Sequence, residues 1–322
     1  LAVAFPRRPG NCREQMATTI SAVIPTKNRP EDLRRAVLSV LSQSRLPEQL
    51  LIIDQSESPE SREIVGQLVP QDSAIALVYV LDTSITGLVD AKRHSLSIAS
   101  GDLICFLEDD IILEGTYFEE IVKGFANHPQ MLGCCGVVTN VPLQPAGYQA
   151  MHGLFHRGIF ADKRVEIFGN LSQAGVELIQ SDMISGGISA WKREVFDRVA
   201  FDTANGFHLY EDNDFSTRVA RVFGARLYVN PNARLEHHPS ARNRSSAGVF
   251  QEKKIVAQFT YYKKRRDWPW ATLSFAWLMV GQLFEAGYQA VSRKSWSPLV
   301  GYVKGFIAGM KKKVVIPTEG LG

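Results

Sequence analysis

The stretch Leu103-Ile-Cys-Phe-Leu-Glu-Asp-Asp-Ile-Ile112 decides how the chain is read. Five apolar residues, Leu103 to Leu107, follow Gly101 and stop at three consecutive carboxylates, Glu108, Asp109 and Asp110. A run this short, entered from a glycine and ended by charge, predicts a strand buried on both faces. Open α/β sheets hold their ligands beyond the carboxyl ends of such strands. Carboxylates crowded there repel one another unless a cation joins them, and hard divalent ions take oxygen ligands. The chemistry implied is a metal-assisted site for a phosphate-bearing ligand; a solvated acidic turn is the plain alternative.

On either side of this stretch, strands and helices alternate. Thr19 to Pro25 predicts a first strand, followed by the loop Thr26-Lys-Asn-Arg29. Asn28 is placed to cap a helix, with Pro30 early in it and Glu31 and Asp32 at the positive end of its dipole. Gln49 to Asp54 and Ile75 to Leu81 predict further strands, and Ser58 and Gly87 open further helices. Alternation with short links predicts a mostly parallel, right-handed α/β sheet. Beyond it, Glu114 to Asn127 predicts a helix, and Gly133 to Thr139 and Ala225 to Asn230 predict strands. Asn140 to Gln180 has no clear period, as a binding loop or lid would not. Gly186 and Gly187 permit close backbone approach to a ligand, or simply a turn before a helix. Phe215, Val219 and Val222 recur at helical spacing, which puts Glu211 and Asp212 at a helix N-terminus and Asp214 four residues before Arg218. Acids suit that position for structural reasons alone. Glu236-His-His-Pro239 adds two candidate ligands, His237 and His238.

The composition, 322 residues with 45% apolar and 21% charged, is that of an ordinary globular protein. Cys12, Cys105, Cys134 and Cys135 show no zinc spacing and read as small core residues in a reducing compartment. That cysteine usage makes the expected location cytoplasmic; Leu1 to Gln15 hold no long apolar stretch of the secretory kind. From Ala241 onward there are 14 Lys and Arg against 4 Asp and Glu, a net +10, which leaves −7 on the rest. An acidic body with a basic tail points to an anionic surface as the tail's partner. No G-x-G-x-x-G follows the first strand and no G-x-x-x-x-G-K-[ST] occurs, which argues against dinucleotide dehydrogenases and P-loop NTPases.

Taken in order, Val23-Ile-Pro-Thr-Lys-Asn-Arg29, Ile52-Ile-Asp54, Gly87-Leu88 with Ala91-Lys-Arg93, Gly101 to Asp110, Gly186-Gly187, Glu211 to Asp214 and the histidine pair resemble the family-2 glycosyltransferases. These are nucleotide-sugar enzymes of the GT-A fold, a Rossmann-like, mostly parallel sheet flanked by helices. The resemblance covers roughly residues 19 to 240. It implies an N-terminal tail over 1–16, a GT-A domain over 17–240 and a basic, aromatic helical region over 241–322.

The resemblance also assigns roles. Pro25, Thr26, Arg29 and Asp54 are expected around the nucleotide base and ribose, and Lys92, Glu108, Asp109 and Gly187 around the rest of the donor. Gln55 stands where many members carry a second acid, and Lys92 where they carry an arginine. Asp110, Glu108 and His237 or His238 are expected to hold Mg²⁺ or Mn²⁺, in a Glu108-Asp109-Asp110 version of the family's Asp-x-Asp. Arg242 and Arg244 are expected at the leaving diphosphate, UDP or a similar nucleotide. Asp212 is expected to act as general base for a single displacement with inversion, with Glu211 and Trp191 supporting it or meeting the acceptor. The implied partners are a nucleotide-diphosphate sugar and a glycan or lipid-linked acceptor in polysaccharide biosynthesis. Alternatives are a nucleotidyltransferase and a non-catalytic sugar-nucleotide or nucleic-acid binding protein.

The tail reads separately. Lys263-Lys-Arg-Arg266 precedes an uncharged run from Trp268 to Phe284, close to the shortest length that spans a bilayer. Trp270, Leu273, Trp277 and Phe284 fall on one helical face, and Leu299 to Met310 ends in Lys311-Lys-Lys313. Aromatics beside basic clusters predict a membrane-associating helical extension on an anionic surface, peripheral at the inner face of the plasma membrane. Packing on the catalytic domain or a dimer interface are the alternatives. Charge set beside Trp and Leu, not along a polar face, argues for no nucleic-acid partner.

Overall fold

Short apolar runs become strands where the sequence places them: β1 (Ile20–Thr26), β2 (Gln49–Asp54) and β4 (Leu103–Leu107) are buried along their whole length, and β3 (Ala76–Leu81) forms a half-exposed edge. The computed structural model describes residues 18–70, 73–141, 145–162, 164, 167, 177–206, 209–240 and 245–316; the 1–16 tail, Cys12, Arg242 and Arg244 lie outside them. Helices α1 (Pro30–Leu41), α2 (Glu60–Leu68) and α3 (Leu88–Leu96) connect the first four strands. Asn28 is not the α1 cap: it takes φ 54 and gives its amide to Ser56 Oγ at 2.7 Å, while the helix starts at Pro30 after Arg29.

Five more strands complete the sheet: β5 (Ile111–Leu113), β6 (Gly133–Val138), β7 (Ile179–Ser181), β8 (Ile188–Lys192) and β9 (Leu227–His237). The order is β3-β2-β1-β4-β8-β6-β9-β5, with β7 also on β9. The first four strands pair in parallel, as predicted, but β8 runs antiparallel between β4 and β6, and β5 antiparallel to β9. The sheet is therefore mixed in its second half.

Strand β9 runs to His237, well past the Asn230 end expected from the sequence. Its pairing with β6 jumps from Cys135↔Val229 to Val137↔Arg234. Pro231 falls inside that irregularity, where no ladder donor is required of it. The continuation carries His237 opposite Ile111, beside the acidic end of β4.

Helix α4 (Tyr117–Asn127) packs on β9, and α5 (Ala146–Phe155) forms inside the stretch read as aperiodic. After α6 (Glu211–Phe223) come α7 (Ala247–Lys263), α8 (Ala271–Ser292) and α9 (Ser297–Lys311). Helices α7 and α8 share a second core in which Ile255, Phe259, Phe275 and Leu278 close over Phe160. Helix α9 lies against α7 along Gly301, Gly305 and Gly309, and a Cβ at Gly301 would overlap the Gly248 carbonyl. Gly301→Leu is expected to destabilise the protein by about 1–3 kcal/mol, the usual cost of overpacking. Thermal melting checks this; an unchanged midpoint would show that α9 is not docked this way.

The cluster Lys263-Lys-Arg-Arg266 corrects its sequence reading as an anionic-surface patch. Lys264 and Arg265 are buried, and Lys264 Nζ reaches Asp202 at 2.5 Å and Asp214 at 2.8 Å, while Arg265 meets Asp214 at 3.1 Å. Lys263 donates to the carbonyls of Gly309, Met310 and Lys312 at the end of α9. These charges tie the C-terminal helices to α6. Burial alone would raise the Asp214 carboxyl, but Arg218, Arg265 and Lys264 outweigh it and hold it below the usual range. Asp214→Asn leaves those cations buried against a neutral amide, and about 3–5 kcal/mol of stability should be lost. The folded value is the depressed one, so the loss is full at pH 7 and shrinks as pH falls below about 4 toward the folded value. Denaturant titrations of both proteins at pH 7 and pH 3.5 test it; a gap that widened in acid would contradict it.

Candidate active site

The carboxyl ends of β1 and β4, α3 and the β8 entry enclose a cleft of about 690 Å³. The three carboxylates after β4 diverge in it. Asp109 lines the cleft but turns back: its oxygens accept from Thr26 Oγ1 at 2.7 Å and from Arg29 at 2.9 Å. Asp110 and Glu108 face His237, whose Nε2 lies 3.2 Å from Asp110 Oδ1 and 3.3 Å from Glu108 Oε2. The Ser240 amide donates to the other Asp110 oxygen at 2.9 Å. Burial alone would raise the Asp110 carboxyl, but His237, the Ser240 amide and Arg29 together hold it below the ordinary range, whereas burial pushes Glu108 up. One donor atom from each of Glu108, Asp110 and His237 lies within 4.8 Å of the others. Two carboxylates and an imidazole suit Mg²⁺ or Mn²⁺.

The remaining expectations divide. His238 is corrected: its Nε2 pairs with Glu236 at 2.8 Å, and only its backbone amide touches Asp110, through the carbonyl. Trp191 is core, 2% exposed, with its Nε1 on Ser189 and its ring edge-on to Phe215, so it meets no acceptor. Asp54 is fully buried, its oxygens taken by the Ser56 amide at 2.9 Å and the Tyr79 hydroxyl at 2.6 Å; neighbouring Gln55 lines the cleft. Pro25, Thr26, Arg29 and Lys92 line it too, but Lys92 Nζ points to the Gly186 carbonyl at 3.1 Å and Glu211 at 3.5 Å.

Gly186 and Gly187 explain themselves here. A Cβ at Gly187 would lie 2.5 Å from Glu108 Cδ, and one at Gly186 would lie 2.9 Å from Lys92 Nζ and 3.1 Å from Asp212 Cβ. The pair lets the backbone pass between the acidic cluster on β4 and the acids that open α6. Those acids follow Tyr210, a bulky residue at φ 69. Such a backbone costs roughly 1–3 kcal/mol and persists where surroundings over-determine it. Here the Tyr210 hydroxyl accepts from Gln258 and its ring packs on Phe160 and Tyr261.

Arg164 was not singled out in the sequence. Its NH1 donates to Asp212 at 2.6 Å and its NH2 to Asp162 at 2.7 Å and Asn213 at 3.2 Å, so one guanidinium spans both carboxylates. It lies in the stretch without period, and no local pattern marks it.

A model of glycosyl transferase family 2 matches residues 21–200, more than half of the chain. The chain belongs to that family. Glycosyltransferase GlyA of Streptococcus pneumoniae is 21% identical over 218 residues, covering 66% of this chain and 29% of that protein. A GalNAc(5)-diNAcBac-PP-undecaprenol beta-1,3-glucosyltransferase of Campylobacter jejuni is 27% identical over 118 residues, 36% of this chain and 38% of its own. The chain thus spans well under half the length of these curated relatives. Among solved structures, a Pyrobaculum calidifontis mannosyltransferase in complex with GDP-Man and Mn²⁺ superposes with a TM-score of 0.59 at 14% identity, covering 93% of this chain and 89% of that one. Staphylococcus aureus TarS, residues 1–349, gives 0.57 at 12% identity, covering 91% and 81%. Both likenesses concern the fold, which is of the GT-A type with a helical C-terminal extension.

Proposed function

We propose that this family-2 member is an inverting, metal-dependent glycosyltransferase that moves a sugar from a nucleotide diphosphate to a hydroxyl of a glycan or lipid-linked acceptor. The observation that carries the reading is the Glu108–Asp110–His237 set across the Gly186–Gly187 pair from Asp212. When bound by those three side chains, Mg²⁺ or Mn²⁺ supplies positive charge to the departing diphosphate. Arg29, anchored by Asp109, adds a fixed cation at the same mouth. The acceptor oxygen bonds to the anomeric carbon as the carbon–phosphate-oxygen bond breaks; the electron pair leaves with the nucleotide diphosphate and the proton passes to Asp212. Arg164 holds the Asp212 carboxylate in place at 2.6 Å. The test is release of nucleotide diphosphate from UDP-, GDP- and dTDP-sugars with Mn²⁺. Release from one donor that stops with EDTA supports the reading; no release from any donor sinks it.

The exposed face of α8 carries Leu273, Trp277, Val280, Phe284, Tyr288 and Val291, and no described helix is long and apolar enough to cross a membrane. The acid on α8, Glu285, is paired to Lys254, while Arg293 and Lys294 follow the helix and Lys304 and Lys311 are exposed on α9. That arrangement supports peripheral docking on an anionic membrane at its inner face. Vesicles with phosphatidylglycerol should therefore sediment the full chain, and Phe284→Glu should weaken the association about tenfold. Equal sedimentation of both proteins would remove α8 from the contact.

A further inference from the structure

A second cavity, of about 290 Å³, is lined in part by Asn213, the residue after Asp212. Asn213 and Tyr210 form its floor, α5 contributes Tyr148 and His152 with His156 just beyond, and α7 contributes Phe250 and Lys254. None of these positions is in the donor cleft, and residues 145–162 and the C-terminal helices build most of it.

Its chemistry selects among ligands. His152 and His156 stack ring on ring at 3.7 Å, and burial holds both below the usual imidazole range, His156 at about 4. Lys254, the single Lys or Arg among the described lining residues, is held by Glu285 at 2.8 Å, and Asp162 brings a carboxylate. Such walls, hydrogen-bonding and aromatic without a spare cation, suit an uncharged polyhydroxyl better than a phosphate.

Helix α5, which lines the cavity, also reaches an apolar surface. Helix α5 ends in Phe155, which seats over Gly281 of α8 with its ring 5.1 Å from Trp277 and 6.0 Å from Phe284, and Trp277 Nε1 donates to the Leu154 carbonyl at 2.8 Å. The helix that supplies His152 thus ends on the exposed apolar stripe of α8.

We infer that this cavity binds the terminal, uncharged sugar of an acceptor whose apolar aglycone lies along α8. The inference rests on the glycosyltransferase reading and names its acceptor class: a sugar carried on a lipid, not a free oligosaccharide. Seated there, the sugar lies against Asn213, next to the proposed base.

Binding tests it on the full chain. Octyl glycosides of gluco, galacto, manno and N-acetylgluco configuration, below their micellar concentrations, and the matching methyl glycosides serve as probes. They are titrated while the His152 and His156 ring resonances are followed by NMR. At least one octyl glycoside should shift both rings and bind tenfold or more tightly than its methyl counterpart, and His156→Ala should lower that affinity at least tenfold. Octyl and methyl glycosides of equal affinity, binding that survives in His156→Ala, or silence of both rings with every probe would each overturn the inference. Titration of the same sample with nucleotide and Mn²⁺ keeps the two readings apart. Nucleotide binding without glycoside binding removes only the acceptor cavity, and absence of nucleotide binding removes the donor reading.

Discussion

Asp110→Asn should lower affinity for Mn²⁺ at least about 100-fold, more than loss of an outer-shell partner costs, and abolish sugar transfer with it. Both oxygens of Asp110 are engaged: one faces His237 and the other accepts from the Ser240 amide. An asparagine keeps the shape but removes a charge and replaces one acceptor by a donor, which then confronts either the imidazole or an N–H. The fold should hold, because the change relieves repulsion from Glu108 and Asp109 and does not bury a new charge. Calorimetry with Mn²⁺ and a melting curve of the same sample measure both halves. Parent-like Mn²⁺ binding would show that Glu108, Asp110 and His237 do not hold the cation.

The second large effect is on the rate. Asp212→Asn should slow transfer about 10²–10⁴-fold, the range expected for loss of a positioned base, with nucleotide binding little changed. The amide keeps one oxygen for Arg164, so the guanidinium stays on Asp162 and Asn213 and the cleft keeps its form. Neighbouring Glu211 does not substitute: its carboxylate is tied to Lys92 Nζ at 3.5 Å, and burial pushes it up. A single-turnover rate within threefold of the parent would take Asp212 out of the base role.

What could be read from sequence follows the range of the forces involved. The β4 strand with its acidic end, and the acids opening α6, are local patterns of burial and dipole, and both stand where the residues predicted. His237 could not be separated from His238, because the choice depends on β9 continuing through Pro231 by way of an irregularity set by its partner β6. Lys264 and Arg265 read as surface charge because Asp202 and Asp214 are distant in sequence and only the fold brings them together. Helix α5 has exposed residues over most of its length, and its docking comes from Phe155 on Gly281, a contact with no trace in local periodicity. Trp191, which the resemblance expected to support the base or meet the acceptor, is turned into the core by the antiparallel insertion of β8.

The most direct measurement is calorimetric titration of the parent protein with UDP, GDP and dTDP, each with Mn²⁺ or Mg²⁺ and again with EDTA. The account predicts that one of these nucleotides binds with metal, that EDTA abolishes the heat, and that Asp110→Asn behaves in metal as the parent does in EDTA. Binding that EDTA leaves intact, or no binding of any nucleotide under either condition, would contradict a metal-held donor at the end of β4.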